Sequence, residues 1–163
     1  MAHLAYDIAL ENHLERPYRL YIAGMLHDVA KAVEAEVASL LMEKFFPQYV
    51  DMKKWTYHQF LGRMMAETFY GVKDQEILNA IACHCTAKSD MGPLDMILYA
   101  SDKIEPGRGY DSSEFIKACK KDYRQGFITV LKANQEFYQS KGWEFGDNQM
   151  TEACLKQYLG EDK

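Results

Sequence analysis

The chain has 163 residues, of which 48% are hydrophobic and 26% charged, so it suits one globular domain with a sizeable core and not a disordered chain. Its formal net charge is −5 and it contains no basic run, so we expect no nucleic-acid partner. The longest apolar runs are too short to span a membrane, and four cysteines without a C-x-x-C pair or a secretory signal indicate free thiols in a reducing cytoplasm.

Apolar residues at helical spacing predict four helices in the first half of the chain. The first ends near Asn12. The second starts at Pro17 and runs to Ala30 as a largely apolar helix, which we expect in the middle of the bundle. The fourth ends at Gly71. The third is expected to bury the stripe Val37, Leu40, Leu41 and Phe45.

The second half shows clear helix boundaries. Asp74 can cap a fifth helix, Pro93 can start a sixth, and the run EPGRG at residues 105–109 is a break. Asp111 and Glu114 have the spacing of a capping box in front of a further helix.

No stretch alternates like a β-strand, so the sequence predicts an all-α fold, with its helices packed as a bundle. A last long helix should stop at Gly142, which gives one domain over residues 1–142. Residues 143–163 are expected to form a short C-terminal tail, which can be helical with Thr151 as its cap.

Five polar residues interrupt these apolar helices: His27, Asp28, His58, His84 and Asp102. Side chains at adjacent helical positions diverge by about 100°, so His27 and Asp28 can both reach one point between helices. An unpaired buried carboxylate is costly, and two that converge would repel each other without a cation. Imidazole and carboxylate groups are ligands for zinc, manganese and iron, so a divalent metal explains the set.

Each of these residues also has a structural interpretation. A lone histidine is more often a hydrogen-bonded structural residue, His84 can favour the negative end of a helix, and Asp102 can be a solvated acid. Cys83 and Cys85 flank His84, but three consecutive residues cannot close a tetrahedral site, so we expect both thiols to be packing or pocket wall. The joint occurrence of the five residues favours a common site.

The motifs resemble those of the HD-superfamily metal phosphohydrolases. The ordered set is YIAGMLHDVAK at residues 21–31, then His58, then His84, then ASDKIEPGR at residues 100–108. It looks most like the YqeK branch, which comprises symmetrical bis(5'-nucleosyl)-tetraphosphatases, and the resemblance covers about residues 5–142. It implies an HD-domain helical bundle that splits diadenosine tetraphosphate into two ADP.

The resemblance also implies the roles of the residues. Metal ligands are expected at His27, Asp28 and Asp102. His58 and His84 are expected to contact polyphosphate or to hold a second metal. The residues expected near phosphate are Lys31, Thr86 and Arg108. The family suggests iron, although manganese and zinc suit the same ligands.

Alternatives to the phosphate roles stay open. Lys31 can instead form an i,i+3 ion pair with Asp28, and Arg108 can be a solvated loop charge. One of Tyr99, Tyr110 and Phe115 can stack on adenine, although core packing is the commoner role of such rings.

Two positions depart from the family pattern. The family carries a first histidine ligand on its first helix, at a position that falls upstream of Met1 here; His3 lies about one turn too late and His13 near the end of the helix. A late start or a truncated chain is the preferred explanation, and real loss of the ligand is the alternative. The family also has histidine, threonine, threonine, glycine where this chain has HCTA at residues 84–87, which alters the expected phosphate pocket.

The expected reaction is metal-assisted attack of water beside the central bridging oxygen, with Lys31 and Arg108 binding phosphate and His58 or His84 protonating the leaving ADP. Two other activities stay open: another HD-type nucleotide phosphohydrolase, and a metal-poor module that binds nucleotide without turnover. A helical interaction module without a site is the third option, and the oligomeric state, including a homodimer, is left open.

Overall fold

A computed structural model of the chain describes residues 1–145 and 148–160. Within those ranges it contains α-helices, three short 3-10 turns and no strand, which confirms the all-α prediction. The α-helices are α1 (Ala2–Glu11), α2 (Tyr18–Leu26), α3 (Ala35–Phe45), α4 (Tyr57–Thr68), α5 (Gln75–Cys83), α6 (Pro93–Ile104), α7 (Ser113–Lys121), α8 (Tyr123–Ser140) and α9 (Gln149–Leu159). The 3-10 turns are Pro47–Tyr49, Lys54–Thr56 and Pro106–Arg108.

The centre of the bundle is α6, and not α2 as the sequence predicts. Ten of the twelve residues of α6 are buried, and the helix packs against α1, α2, α5, α7 and α8. In α2 the large side chain of Met25 is 62% exposed. The helix α2 instead makes a close contact with α1 through a small residue: a Cβ atom on Gly24 would lie 2.7 Å from the Cα atom of Ala2.

The helix α2 ends at Leu26, four residues earlier than predicted, so His27 and Asp28 lie in the turn that follows it and not inside a helix. The backbone beyond it changes to i→i+3 hydrogen bonds, such as that from the Lys31 amide to the Asp28 carbonyl at 2.9 Å. The His27 ring donates from Nδ1 to the carbonyl of Gly24 at 2.8 Å, which competes with the helical ladder at this point.

The predicted core stripe of α3 is wrong at three of its four positions, and only Leu41 is partly buried against the core. Val37, Leu40 and Phe45 are exposed, and α3 buries Ala38 and Met42 instead. Because α3 packs mainly against α4, it has a narrow buried face, which small and unbranched side chains at i and i+4 fill.

The predicted helix boundaries hold in part. Asp74 caps α5, accepting hydrogen bonds from the amides of Glu76 and Ile77, as predicted. The capping box before α7 does not form, since Glu114 pairs with Lys117 at 2.6 Å.

The C-terminal tail contains the helix α9. Its cap is Asn148, whose side chain accepts from the amide of Thr151, so the predicted cap at Thr151 is wrong. Thr151 is buried and its hydroxyl donates to the carbonyl of Thr86 at 2.9 Å, which joins α9 to the loop after α5. The division into a domain over 1–142 and a tail over 143–163 stays a prediction, and residues 146–147 and 161–163 of that tail lie outside the described residues.

No helix in the described part of the chain combines the length and the apolarity needed to cross a bilayer.

Candidate functional site

The five polar residues singled out in the sequence come together at one end of the bundle. His27 and Asp28 follow α2, His58 lies in the first turn of α4, His84 ends α5 and Asp102 lies near the end of α6. All but His27 line a cleft of about 630 Å³, and His27 lies behind it, 9% exposed. Four separate segments thus supply one site.

The three histidines share one orientation. The Nδ1 atom of His27 lies 2.8 Å from the carbonyl oxygen of Gly24, that of His58 lies 2.8 Å from Trp55, and that of His84 lies 2.7 Å from Ile81. A carbonyl oxygen only accepts, so Nδ1 carries the proton in each ring. In the neutral ring Nε2 then presents a lone pair, as it does in histidines that bind metals.

Asp28 stands between these Nε2 atoms. Its Oδ1 lies 3.2 Å from Nε2 of His58 and 3.6 Å from Nε2 of His84, while its Oδ2 lies 3.4 Å from Nε2 of His27. The two oxygens of this one carboxylate therefore face different imidazoles, which is the arrangement of a bridging ligand.

Asp102 approaches His27 from α6. Its Oδ1 lies 3.6 Å from Nε2 of His27, and Arg108 donates to the same oxygen. Its Oδ2 accepts from Nζ of Lys103 at 2.8 Å, and Lys103 also donates to the carbonyl of His84 at 3.2 Å. Lys103 thus links the ends of α5 and α6, a role that no pattern in the sequence indicated.

Cys85 belongs to the same cluster. Its Sγ lies 3.3 Å from Nε2 of both His58 and His84. Among the described residues, two groups have ligand atoms close enough together to hold a metal ion: His58, His84 and Cys85, and His27, Asp28 and His84. Cys83, by contrast, is buried in the core and its thiol points back at the carbonyl of Ala80.

The acids and imidazoles strongly perturb one another. Burial opposes ionisation of Asp28, but hydrogen bonds from His58 and His84 outweigh it and hold the pKa of that carboxyl well below its usual range. Burial likewise opposes ionisation of Asp102, whose pKa nevertheless lies well below its usual range because of the Lys103 charge and the His27 hydrogen bond.

The imidazoles of His58 and His84 show the reverse shift. Burial disfavours their charged form, but Asp28 and Cys85 raise the pKa of His58 to about 10 and that of His84 to about 9. Burial would raise the pKa of the Cys85 thiol, yet the charge of His84 and hydrogen bonds from both rings lower it to about 6. The cluster therefore favours positive charge at its centre, which protons or a metal cation can supply.

The residues predicted near phosphate are not all brought together. Lys31 and Arg108 line the cleft, where Lys31 pairs with Asp28 Oδ2 at 2.8 Å. Thr86 is only 3% exposed and does not line the cleft; its hydroxyl donates to the carbonyl of Ala87 at 2.9 Å and contacts Gln59.

Gln59 is a second residue whose role was not predicted from the sequence. It is fully buried, and its Oε1 accepts from the amides of Cys85 at 3.1 Å and Thr86 at 3.4 Å. It thereby fixes the loop after α5, on which His84 and Cys85 depend. The signal that could have found it is its place directly after His58 and directly before the apolar pair Phe60 and Leu61.

The loop at residues 84–87 keeps a backbone that suits glycine. Ala87 has a φ of 56°, in the left-handed region, at the position where the resembling family has glycine. Alanine in place of glycine can therefore keep the same loop conformation, with about 1 kcal/mol of backbone strain.

His3 and His13 lie away from this cluster. His3 is exposed and packs edge-on against Tyr21, while His13 has a positive φ just beyond α1.

The sequence is similar to those of proteins named as hydrolases of dinucleoside tetraphosphates. The chain is 31% identical over 138 residues to a protein of Mycoplasma genitalium named a probable nicotinate-nucleotide adenylyltransferase/Ap4A hydrolase, which covers 79% of this chain and 39% of that protein. It is 28% identical over 123 residues to the symmetrical bis(5'-nucleosyl)-tetraphosphatase of Bacillus subtilis, with 74% and 66% covered. The chain thus spans about two fifths of the length of the Mycoplasma relatives it matches.

A solved structure and a family model point the same way. The crystal structure of a predicted HD superfamily hydrolase involved in NAD metabolism from Clostridium acetobutylicum superposes with a TM-score of 0.81, at 26% identity, over 97% of this chain and 84% of that one. Residues 1–107, which include the whole cluster, match the model of the HD domain. The chain therefore belongs to the HD domain family.

Proposed function

We propose that the chain is a metal-dependent phosphohydrolase that cleaves dinucleoside polyphosphates, splitting diadenosine tetraphosphate symmetrically into two ADP. One observation carries the proposal: three imidazoles donate from Nδ1 to backbone carbonyls and turn Nε2 toward the carboxylates of Asp28 and Asp102. The names of the Mycoplasma and Bacillus relatives support the substrate.

The residues of the cluster fit a metal. His27, Asp28 and Asp102 would hold one ion, and His58 and His84, with the other oxygen of Asp28, would hold a second. Imidazole with carboxylate suits iron, which we propose first, and also manganese and zinc. When bound, such an ion lowers the pKa of water to near neutrality and neutralises charge on the nonbridging phosphate oxygens.

The cationic side chains of the cleft suit a polyphosphate. Lys31, Lys54 and Arg108 line it, and the side chains of Lys31 and Arg108 are 62% and 39% exposed, so both can leave their carboxylate partners for phosphate. Arg108 lies within the break at residues 105–109, at the end of the 3-10 turn Pro106–Arg108, and its guanidinium is suited to forked contacts with phosphate. These charges explain how an acidic protein can bind a polyanion locally.

His58 and His84 have two roles that exclude each other. Each ring has its Nδ1 committed to a carbonyl, so only Nε2 is available. A ring that holds a second metal through Nε2 has no proton to give there, whereas a ring that contacts phosphate can donate one to the leaving ADP. The stoichiometry of metal binding decides between the two roles.

A second cavity suits a nucleoside. It has about 610 Å³, is lined by the rings of Tyr110, Phe115 and Phe137, and shares Lys103, Arg108, Asn134 and Phe137 with the first cleft. An apolar, aromatic pocket beside a cationic cleft matches a base beside phosphates. Tyr99 is fully buried and its hydroxyl accepts from Asn134, so we assign it to the core.

A product assay on the purified chain tests the proposal. Incubation of diadenosine tetraphosphate with the iron-loaded chain should yield ADP alone. Formation of AMP with ATP would contradict symmetrical cleavage, while hydrolysis of mononucleotides only would indicate another phosphohydrolase. A chain that binds the dinucleotide but holds no metal and forms no product would be a binding module.

We also propose a cytoplasmic location, which the free thiols of Cys83, Cys85, Cys119 and Cys154 support. Fractionation of cells that express a tagged chain tests it. A homodimer is compatible with the exposed apolar side chains of α3, and sedimentation equilibrium would measure it.

A further inference from the structure

Cys85 lies where His58 and His84 meet. The two Nε2 atoms are 3.2 Å apart, and the Sγ atom of Cys85 is 3.3 Å from each of them. Asp28 Oδ1 completes the group, at 3.2 Å from the first nitrogen and 3.6 Å from the second. The four atoms come from three separate segments, since His84 and Cys85 are consecutive.

The spacing of the two nitrogens and the sulfur matches one face of a metal coordination tetrahedron. Bonds of about 2.05 Å to nitrogen and about 2.3 Å to sulfur, at the tetrahedral angle, give edges of about 3.4 Å between nitrogens and about 3.6 Å between nitrogen and sulfur. The observed separations, 3.2 Å between the nitrogens and 3.3 Å from each nitrogen to the sulfur, lie close to those edges, and the three atoms are near enough together to hold one ion.

The orientation of the rings points to a cation between them. With Nδ1 of His58 and His84 donating to carbonyls, two neutral rings would direct their Nε2 lone pairs at each other across 3.2 Å, which is repulsive, so this contact requires a proton or a metal ion between the nitrogens. A metal ion that accepts both lone pairs removes that repulsion and leaves the Nδ1 contacts intact.

We propose that Cys85 is a thiolate ligand of the metal held by His58, His84 and Asp28. The inference rests on the proposed function, since it assigns a further ligand to the second ion. Ion binding would release to solvent the protons that His58, His84 and Cys85 hold between them. A thiolate favours soft and borderline ions, so this position should prefer zinc, cobalt or ferrous iron to manganese or magnesium. The resembling family has threonine at the position of Cys85, and a hydroxyl would not give the site this preference for soft and borderline ions.

Cobalt substitution tests the assignment without relying on turnover. The full chain, loaded with Co²⁺, should show an intense sulfur-to-cobalt charge-transfer band in the near ultraviolet. Cys85→Thr should lose this band and keep the weaker visible bands of cobalt on imidazole and carboxylate. Cys83→Ser is the matched control, because its thiol lies two residues away in the core and should leave the band unchanged.

Metal competition with a chromophoric chelator gives a second measurement. Cys85→Thr should lower the affinity for the second equivalent of Zn²⁺ by about tenfold to hundredfold, with a much smaller effect on Mn²⁺. Cys85→Ser repeats the test if the threonine variant folds poorly.

The outcomes separate the assignment from the proposed function. A wild-type chain that binds cobalt and hydrolyses the dinucleotide without the charge-transfer band, or a band that persists in Cys85→Thr, would overturn the role of Cys85 alone. A band that depends on Cys85 in a chain without hydrolysis would support the ligand and overturn the proposed function.

Discussion

Oδ1 of Asp28 lies 3.2 Å from Nε2 of His58, and its Oδ2 lies 3.4 Å from Nε2 of His27. One carboxylate thereby connects the turn after α2 with the first turn of α4. Asp102, at the end of α6, faces only the His27 side. This difference between the two acids makes the metal stoichiometry of their variants informative.

Asp28→Asn should lose both metal equivalents, whereas Asp102→Asn should lose only one. The amide removes the charge of a bridging group in the first case and of a single ligand in the second. We expect each metal affinity to fall at least about tenfold to hundredfold, with hydrolysis reduced at least as much. Elemental analysis by mass spectrometry, with the exposed Asp111→Asn as the control, measures the ratio. Equal loss in the two variants would argue against a bridging Asp28.

Lys31→Gln should raise the KM for diadenosine tetraphosphate by about threefold to tenfold with little change in stability, because an exposed ion pair adds less than about 1 kcal/mol. Lys117→Gln is a matched control, since Lys117 forms the same i,i+3 pair with Glu114 and is similarly exposed. Steady-state kinetics and urea unfolding of both variants check this. If both leave KM unchanged, Lys31 is an ordinary surface ion pair.

Gln59→Leu should lower the free energy of unfolding by about 2–4 kcal/mol, because the buried amides of Cys85 and Thr86 lose their acceptor. The loop that holds His84 should loosen as well, so the affinity for metal should fall with it. The same replacement at the exposed Gln139 of α8 controls for the added leucine. Unchanged metal affinity in a destabilised Gln59→Leu chain would show that Gln59 supports the fold and not the site.

Asp74→Asn should destabilise the chain near neutral pH by about 1–3 kcal/mol and less in acid, because the asparagine keeps the cap of α5 but loses the charge that pairs with Arg19. The hydrogen bond from Arg19 lowers the pKa of Asp74 below its ordinary value. Its stabilising contribution is therefore present above a pH of about 4 and is lost as the pH falls through the lowered pKa. The gap between wild type and variant should shrink over that window.

Urea unfolding at several pH values measures the effect, and Asp74→Ala, which also removes the cap, should cost about 1 kcal/mol more at every pH. A gap between wild type and Asp74→Asn that does not change with pH would contradict the ion-pair explanation.

Local signals predicted the helices well and their packing poorly. The boundaries at Asp74, Pro93 and Gly142 depend on capping and backbone geometry that a few neighbouring residues fix. The stripe of α3 was wrong because which face is buried depends on the partner helix, and α3 has mainly α4. The end of α2 was missed because the His27 ring bonds back to Gly24, a contact that periodicity does not reveal.

The sequence by itself determined the fold class and the set of polar residues, His27, Asp28, His58, His84 and Asp102, since unpaired polar groups are costly in apolar helices wherever the helices pack. Only the tertiary structure decided how these residues meet, because distances between four segments depend on packing. It added Cys85 and Lys103 to the cluster and moved Thr86 out of it. The direction of a side chain in a loop such as residues 84–87 follows from long-range contacts, here those with Gln59 and α9.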